Sequence, residues 1–273
     1  MSIDILKKEL KSKIIRNIYL FYGLEEYLKK YYLNQIETLI LQKDFETLNK
    51  TVIEDKVDIN YLTNLCNTYP MFSERKIIII KNSNLFNATK KENSSIKTEK
   101  KINKNDEFIN YLKDIPEYNC VVFFENEIDK RTKLVNLIKQ NGLLVEFPYQ
   151  KQQELVKWVI NIFKSKNKEI TSLTASKFIE YCDVGMENIF TEINKIDLFL
   201  DNKKLVEITD ITKICTKSIK SRIFDLTDEI IKKNTNKAFD VLHELMILKE
   251  PIPKILFMIA RQFRQTLQIK LLL

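Results

Sequence analysis

Glycine is nearly missing from this chain: only Gly23, Gly142 and Gly185 occur in 273 residues. A loop that cradles phosphates, of the G-x-x-x-x-G-K-[ST] or G-x-G-x-x-G kind, needs glycines a few residues apart so that backbone N–H groups can approach the anion. No such pair is present, which argues against nucleotide hydrolysis even on a fold that commonly performs it. Histidine is scarcer still. The one histidine, His243 in "KAFDVLHELMILK", falls on the flank of a helical pattern beside Leu242 and Leu245, so no histidine cluster can hold a metal. Any catalytic triad would have to pass through a residue with no Ser or Cys nucleophile motif nearby. Cys66, Cys120, Cys182 and Cys215 lie far apart with no C-x-x-C pair, so neither a zinc ribbon nor a disulfide framework is indicated and they read as small buried side chains. No apolar run approaches bilayer length. The N-terminal "MSIDILKKELKSK" has neither an apolar h-region nor a cleavage site, and a cytoplasmic location is expected. No catalytic, metal-binding or cofactor-binding residue emerges.

What is present describes a globular protein. A mass of 32.5 kDa with 44% apolar and 30% charged residues suits two or three compact units, each with its own core. The net charge of +8 invites a nucleic-acid reading through counterion release. A general richness in Lys, Asn and Ile explains it nearly as well. The densest basic stretch, "TKKENSSIKTEKKINKND" from Thr89 to Asp106, reads as a solvated loop or disordered insertion and carries little weight as a DNA site.

From residue 17 to 148, strand and helix patterns alternate. "IRNIYLFYG" is a short apolar strand, and the following helix has Leu24, Leu28, Tyr31, Tyr32, Ile36, Leu39 and Ile40 as its apolar positions. "NKTVIE" is a second strand. Asp58 then caps a helix with inner residues Ile59, Leu62, Leu65 and Cys66, which Pro70 stops. "RKIIIIKN" and "NCVVFFEN" are continuous apolar runs, expected of strands covered on both faces of a parallel sheet. A short helix in "DEFINYLKDI" lies between them. "KRTKLVNLIKQNG" is a helix that Gly142 closes as a left-handed residue, and "LLVEFP" is a further strand. The pattern is that of a doubly wound α/β domain. Beyond it six segments show apolar residues three and four apart and read as helices. The stretch from Asp201 to Ser218 is expected to be a connection between two bundles.

"TYPMFSERKIIIIKN" sets Met71 beside Phe72 just ahead of a strand too apolar to face water. Two readings stand on the residues alone. The pair covers the sheet edge, as most apolar pairs beside strands do, or it is offered to a partner. A thioether and an aromatic side chain together bury on the order of 200 Å², worth about 5 kcal/mol before association costs. Glu125 and Glu127 in "FFENEIDKR" have no phosphate loop to work against and read as surface. Trp158, flanked at helical spacing by Leu155, Val159 and Ile162, reads as core. Arg261 and Arg264 share a helix face and suit a phosphate or a partner's carboxylates, a solvated face being the simpler reading.

The order of "YLFYGLEEYL", "PMFSERKIIIIKN", "VVFFENEIDKRTKL", "GLLVEF", "IFDLTDEI" and "PIPKILFMIARQFR" resembles the delta subunits of the bacterial DNA polymerase III clamp loader, of the AAA+ family, over almost the whole chain. The resemblance implies a parallel-sheet AAA+ α/β domain at 1–148 without a functional phosphate loop, a small helical lid at 149–213, and the first part of a helical collar at 214–273. The collar is expected to be truncated, since the last helix runs into "QIKLLL" without a stop signal. It also implies a non-hydrolysing component of a DNA polymerase holoenzyme that binds the beta sliding clamp and opens its ring for loading onto primed DNA. Expected partners are the gamma/tau and delta-prime subunits. Met71 and Phe72 would enter a pocket on the clamp, with Tyr69 and Pro70 shaping the protrusion and Ser73, Glu74 and Arg75 at its rim. Arg261 and Arg264 are candidates for contact with DNA or a neighbouring subunit. The alternative is a stand-alone basic nucleic-acid-binding or ATP-dependent AAA+ protein.

Overall fold

The computed structural model describes residues 2–55, 57–87, 108–215, 217 and 219–272, so the lysine-rich Thr89–Asp106 segment lies outside the described residues. The chain divides into two compact units, 1–149 and 150–273. In the first, strands β1 (Ile18–Tyr22), β2 (Lys50–Glu54), β3 (Lys76–Lys81), β4 (Asn119–Glu125) and β5 (Leu143–Glu146) form a parallel sheet in the order β2-β3-β4-β1-β5. Helices α1 (Ser2–Lys11), α2 (Glu26–Ile40), α3 (Glu46–Asn49), α4 (Ile59–Asn67) and α5 (Lys133–Asn141) accompany it.

The two-residue period of a strand explains the two cores. Tyr19, Phe21, Ile77, Ile79, Cys120 and Val122 pack with Leu6 and Leu10 of α1 and with Tyr32, Leu33 and Ile36 of α2. Their alternates, Ile18, Leu20, Ile78, Ile80, Val121 and Phe123, pack with Leu62 and Cys66 of α4 and with Leu134, Val135 and Ile138 of α5. Both faces are covered, so β1 and the interiors of β3 and β4 are apolar on both faces, with polar residues only at the ends of β3 and β4. Asp58 caps α4 by accepting from Asn60 N at 3.0 Å, and the Thr132 side chain caps α5 by accepting from Val135 N at 3.3 Å.

Two expectations for the elements of this unit need correction, and one helix was not foreseen. The buried stripe of α2 is Lys29, Tyr32, Leu33, Ile36 and Ile40, whereas Leu24, Tyr31 and Leu39 are exposed. The helix begins only at Glu26, so Leu24 precedes it and the stripe is rotated from that expected. Gly142 is not left-handed: its φ is −132°. Glycine is required there by close approach, because a Cβ would lie 2.5 Å from Ile18 O. Helix α1, for which the sequence reading made no assignment beyond the lack of a signal peptide, buries Leu6 and Leu10 against the sheet.

In the second unit, α6 (Gln152–Ser165), α7 (Ser172–Tyr181), α8 (Met186–Leu200) and α9 (Ile208–Ile214) enclose Val159, Phe163, Phe178, Ile189, Ile193, Ile196 and Ile211. Trp158 is half-buried on this core, its ring 6.5 Å from that of Phe190. A two-residue parallel pair, β6 (Glu169–Ile170) with β7 (Leu205–Val206), ties the helices together. The stretch expected as a connection is therefore part of a folded core: Val206, Ile211 and Cys215 belong to it, and Glu207 with Asp210 forms a reciprocal capping box on α9. Helices α10 (Ile219–Ile231), α11 (Thr235–Ile247) and α12 (Ile252–Leu272) share a separate cluster around Ile223, Leu226, Leu245 and Ile255. Phe239, Ile247, Leu256 and Phe257 stay exposed on α11 and α12. No described helix is long and apolar enough to cross a membrane.

Candidate functional site

The chain between α4 and β3 forms a turn that presents apolar side chains while its backbone is held from below. Met71 is 53% and Phe72 74% exposed, and Tyr69 stands out similarly, beside a half-buried Pro70. Phe72 has a φ of +55°, a left-handed conformation that is costly for an aromatic residue. Its ring lies 5.2 Å from that of Phe45, and the Tyr69 ring 5.0 Å from that of Tyr118.

The anchor of this turn is Asn49, the last residue of α3 and 2% exposed. Its Oδ1 accepts from Met71 N at 2.8 Å while its Nδ2 donates to Met71 O at 2.7 Å, and Nδ2 also reaches Phe45 O and Ser73 Oγ, both at 3.1 Å. On the α4 side, the buried Lys76 ammonium donates to Leu65 O at 2.6 Å, to Thr68 Oγ1 at 2.7 Å and to Thr68 O. A cation on the last carbonyls of a helix is favoured by the helix dipole, although burial lowers the Lys76 pKa. Arg75 does not rim the protrusion. Its guanidinium turns inward to Ile15 O at 3.0 Å, Asn17 Oδ1 at 2.8 Å and Asn119 O at 3.1 Å, its planar fork donating to two backbone carbonyls and a side-chain amide.

The carboxyl ends of β1 and β4, where open α/β sheets bind ligands, are filled by the chain's own side chains. Lys29 is fully buried, with its ammonium 2.6 Å from Glu26 Oε1 and donating to Glu125 O and Asn126 Oδ1, both at 3.1 Å, over the Phe124 ring. Desolvation lowers its pKa. Glu125, expected at the surface, is buried, because Ser83 N at 2.8 Å and Ser83 Oγ at 2.5 Å both donate to its Oε1. Burial raises its pKa. Glu127 is exposed. Gly23 lies close under Phe147, so that a Cβ would meet Phe147 O at 2.3 Å. The start of α2, whose dipole would favour a phosphate, carries the carboxylates of Glu25 and Glu26 instead.

Comparison with known proteins agrees with this architecture. The family model for DNA polymerase III, delta subunit, matches residues 19–148, and the model for the C-terminal domain of the same family matches residues 220–273. The chain belongs to the DNA polymerase III delta-subunit family. It is similar to the DNA polymerase III subunit delta of Bacillus subtilis, with 24% identity over 267 residues, 96% of this chain and 75% of that protein. Among solved structures, the Bacillus subtilis DNA clamp loader delta protein shares its fold at a TM-score of 0.63 and 23% identity, covering 97% of this chain and 77% of that one.

In this delta-family chain the expected site residues fall in both units. Tyr69, Pro70, Met71 and Phe72 form one turn in the first unit, while Arg261 and Arg264 are exposed on α12 in the second. Arg261 lines a pocket with Ile223, Phe224 and Met258. Among the described residues no cluster of His, Cys, Asp and Glu suits a metal ion. The four cysteines are free and buried, and burial pushes the Cys66 thiol up to about 11 and Cys120 to about 12. Two residues escaped the sequence reading. Lys29 stands at the lysine position of a phosphate loop counted from Gly23, with Leu28 and Lys30 in place of the second glycine and the hydroxyl residue; that spacing was its available signal. Asn49 had none, because an asparagine before a strand is common in loops.

Proposed function

We propose that this delta-family protein binds the beta sliding clamp through the Met71–Phe72 turn and holds one interface of the ring open for loading onto primed DNA. The observation that carries this reading is a pair of apolar side chains, 53% and 74% exposed, on a backbone fixed by hydrogen bonds to the buried Asn49 side chain. Rigid, protruding apolar anchors are what dominates a protein interface, because little ordering entropy opposes their burial. Opening follows if the turn binds the open ring better than the closed one, since a ligand shifts an equilibrium only by its differential affinity.

The same reading has the chain act without hydrolysing ATP. In support, Lys29 is committed to Glu26, Glu125 O and Asn126, and carboxylates occupy the helix end that a phosphate would need. The first unit is then the AAA+ domain at 1–148, followed by a lid at 149–213 and collar helices from 214 onward. The exposed apolar residues of α11 and α12 serve contact with gamma/tau and delta-prime subunits. Arg261 and Arg264 serve contact with DNA or with a neighbouring protein of the loader.

The test uses a cognate clamp labelled with a fluorophore pair across one interface. Addition of the protein without nucleotide is expected to separate the pair, and Met71→Ala with Phe72→Ala is expected to abolish the change. No separation with wild type, or nucleotide turnover by the isolated chain, would instead favour a stand-alone ATP-dependent or nucleic-acid-binding protein.

A further inference from the structure

Asn49 is an expensive residue to bury. Its side-chain amide carries polar atoms that each need a partner away from water, and an apolar side chain of similar size would fill the same space without that requirement. Of its four contacts only Phe45 O is local; Met71 N, Met71 O and Ser73 Oγ belong to the turn 22 to 24 residues onward. The pairing with Met71 has a particular form. Asn49 immediately precedes β2, and β2 pairs with β3 from Lys50 opposite Ile77 onward. One residue before the ladder begins, the amide gives the Met71 backbone the acceptor and the donor that a neighbouring strand would supply. With both polar groups of Met71 held, the next residue turns into the left-handed region at φ +55°, and its ring stands out from the surface above Phe45.

We propose that Asn49 is a positioning residue for clamp binding, holding the Met71–Phe72 turn in its binding-competent shape before the clamp arrives; the proposal rests on the clamp-binding reading above. Without the amide, Met71 N and O turn to water and Phe72 relaxes toward negative φ, which takes its ring off the binding geometry. Apparent affinity falls in proportion to the competent fraction.

The experiment measures binding of the whole chain to its cognate beta clamp for wild type, Asn49→Ala, Asn49→Asp, the pair Met71→Ala with Phe72→Ala, and that pair combined with Asn49→Ala. Hydrogen exchange of residues 69–73 is followed in the free proteins. Asn49→Ala is expected to weaken binding about tenfold, the effect of a competent fraction reduced to about a tenth, and to speed exchange at Met71 while the α4 amides stay protected. In the Met71/Phe72 background it is expected to cost nothing more, because the side chains it positions are gone. Asn49→Asp has the same size without the N–H donors and is expected to weaken binding likewise, which keeps the test open should the alanine variant fold poorly. Unchanged affinity with accelerated exchange overturns the proposal while leaving the clamp-binding reading intact. An equal loss in both backgrounds overturns it too, since Asn49 would then act elsewhere. If the Met71/Phe72 pair itself changes nothing, the clamp-binding reading fails and takes this proposal with it.

Discussion

Replacing Met71 and Phe72 together by alanine tests the central reading with a magnitude set by the structure. At exposures of 53% and 74%, and with about 200 Å² for each free side chain, roughly 250 Å² is available for burial on a partner. At about 25 cal/mol per Å² this is worth about 6 kcal/mol. Part of that area is backbone and Cβ, which alanine keeps, and immobilising each side chain costs about 0.5–1.5 kcal/mol. The expected loss is therefore about 3–4 kcal/mol, a few hundredfold in Kd. Calorimetric titration of the clamp at one salt concentration measures it, with circular dichroism and urea unfolding to show an unaltered fold. Neither side chain belongs to either buried core of the sheet, so stability should change by less than about 1 kcal/mol. A large stability loss with unchanged affinity would refute the reasoning, because it would mean that the pair serves this molecule's own packing.

Three further outcomes follow from the sheet ends. Gly23→Ala places a Cβ 2.3 Å from Phe147 O at a φ of +119°, and combined overpacking and backbone strain should lower stability by about 2–6 kcal/mol in urea unfolding. Glu125 has a folded-state pKa raised above 4.5, so it favours folding below that pH and the benefit is lost as pH rises through the folded value. Glu125→Gln keeps an oxygen for Ser83, so it should be more stable than wild type at neutral pH and lose that advantage near pH 4.5, as read from unfolding midpoints across pH. Lys29 has the opposite displacement: its folded pKa lies below 10.5, and its contribution is present above that pH and lost as pH falls through the folded value. Wild type should therefore gain stability relative to Lys29→Met as pH rises toward 10.5, and a flat difference would show that Lys29 is not desolvated.

Segment identity and order were readable along the chain because they are local properties. "RKIIIIKN" and "NCVVFFEN" read as doubly covered strands and are so, Asp58 and Pro70 bracketed α4, and the alternation over 17–148 gave the α/β character. The Met71–Phe72 pair was visible as a candidate: the residues alone favoured cover of the sheet edge, the family resemblance favoured a partner, and the structure adds that both side chains are exposed. The errors share one cause. Periodicity assigns a face without saying which neighbour will cover it, so α2 was rotated, Gly142 was given the wrong reason, and the 201–218 stretch was taken for a linker though it closes a core.

Composition and pattern alone settled that this is an α/β domain followed by helices, with no glycine-built phosphate loop. Tertiary structure alone decided what became of the polar groups. Lys29 meets Glu125 O and Asn126 from 96 and 97 residues away, and Asn49, just ahead of β2, meets Met71 in the turn before β3, 22 residues away. Parallel strands are joined by long crossovers, so the partners that make a buried lysine or asparagine tolerable are distant in sequence, and no local pattern records them.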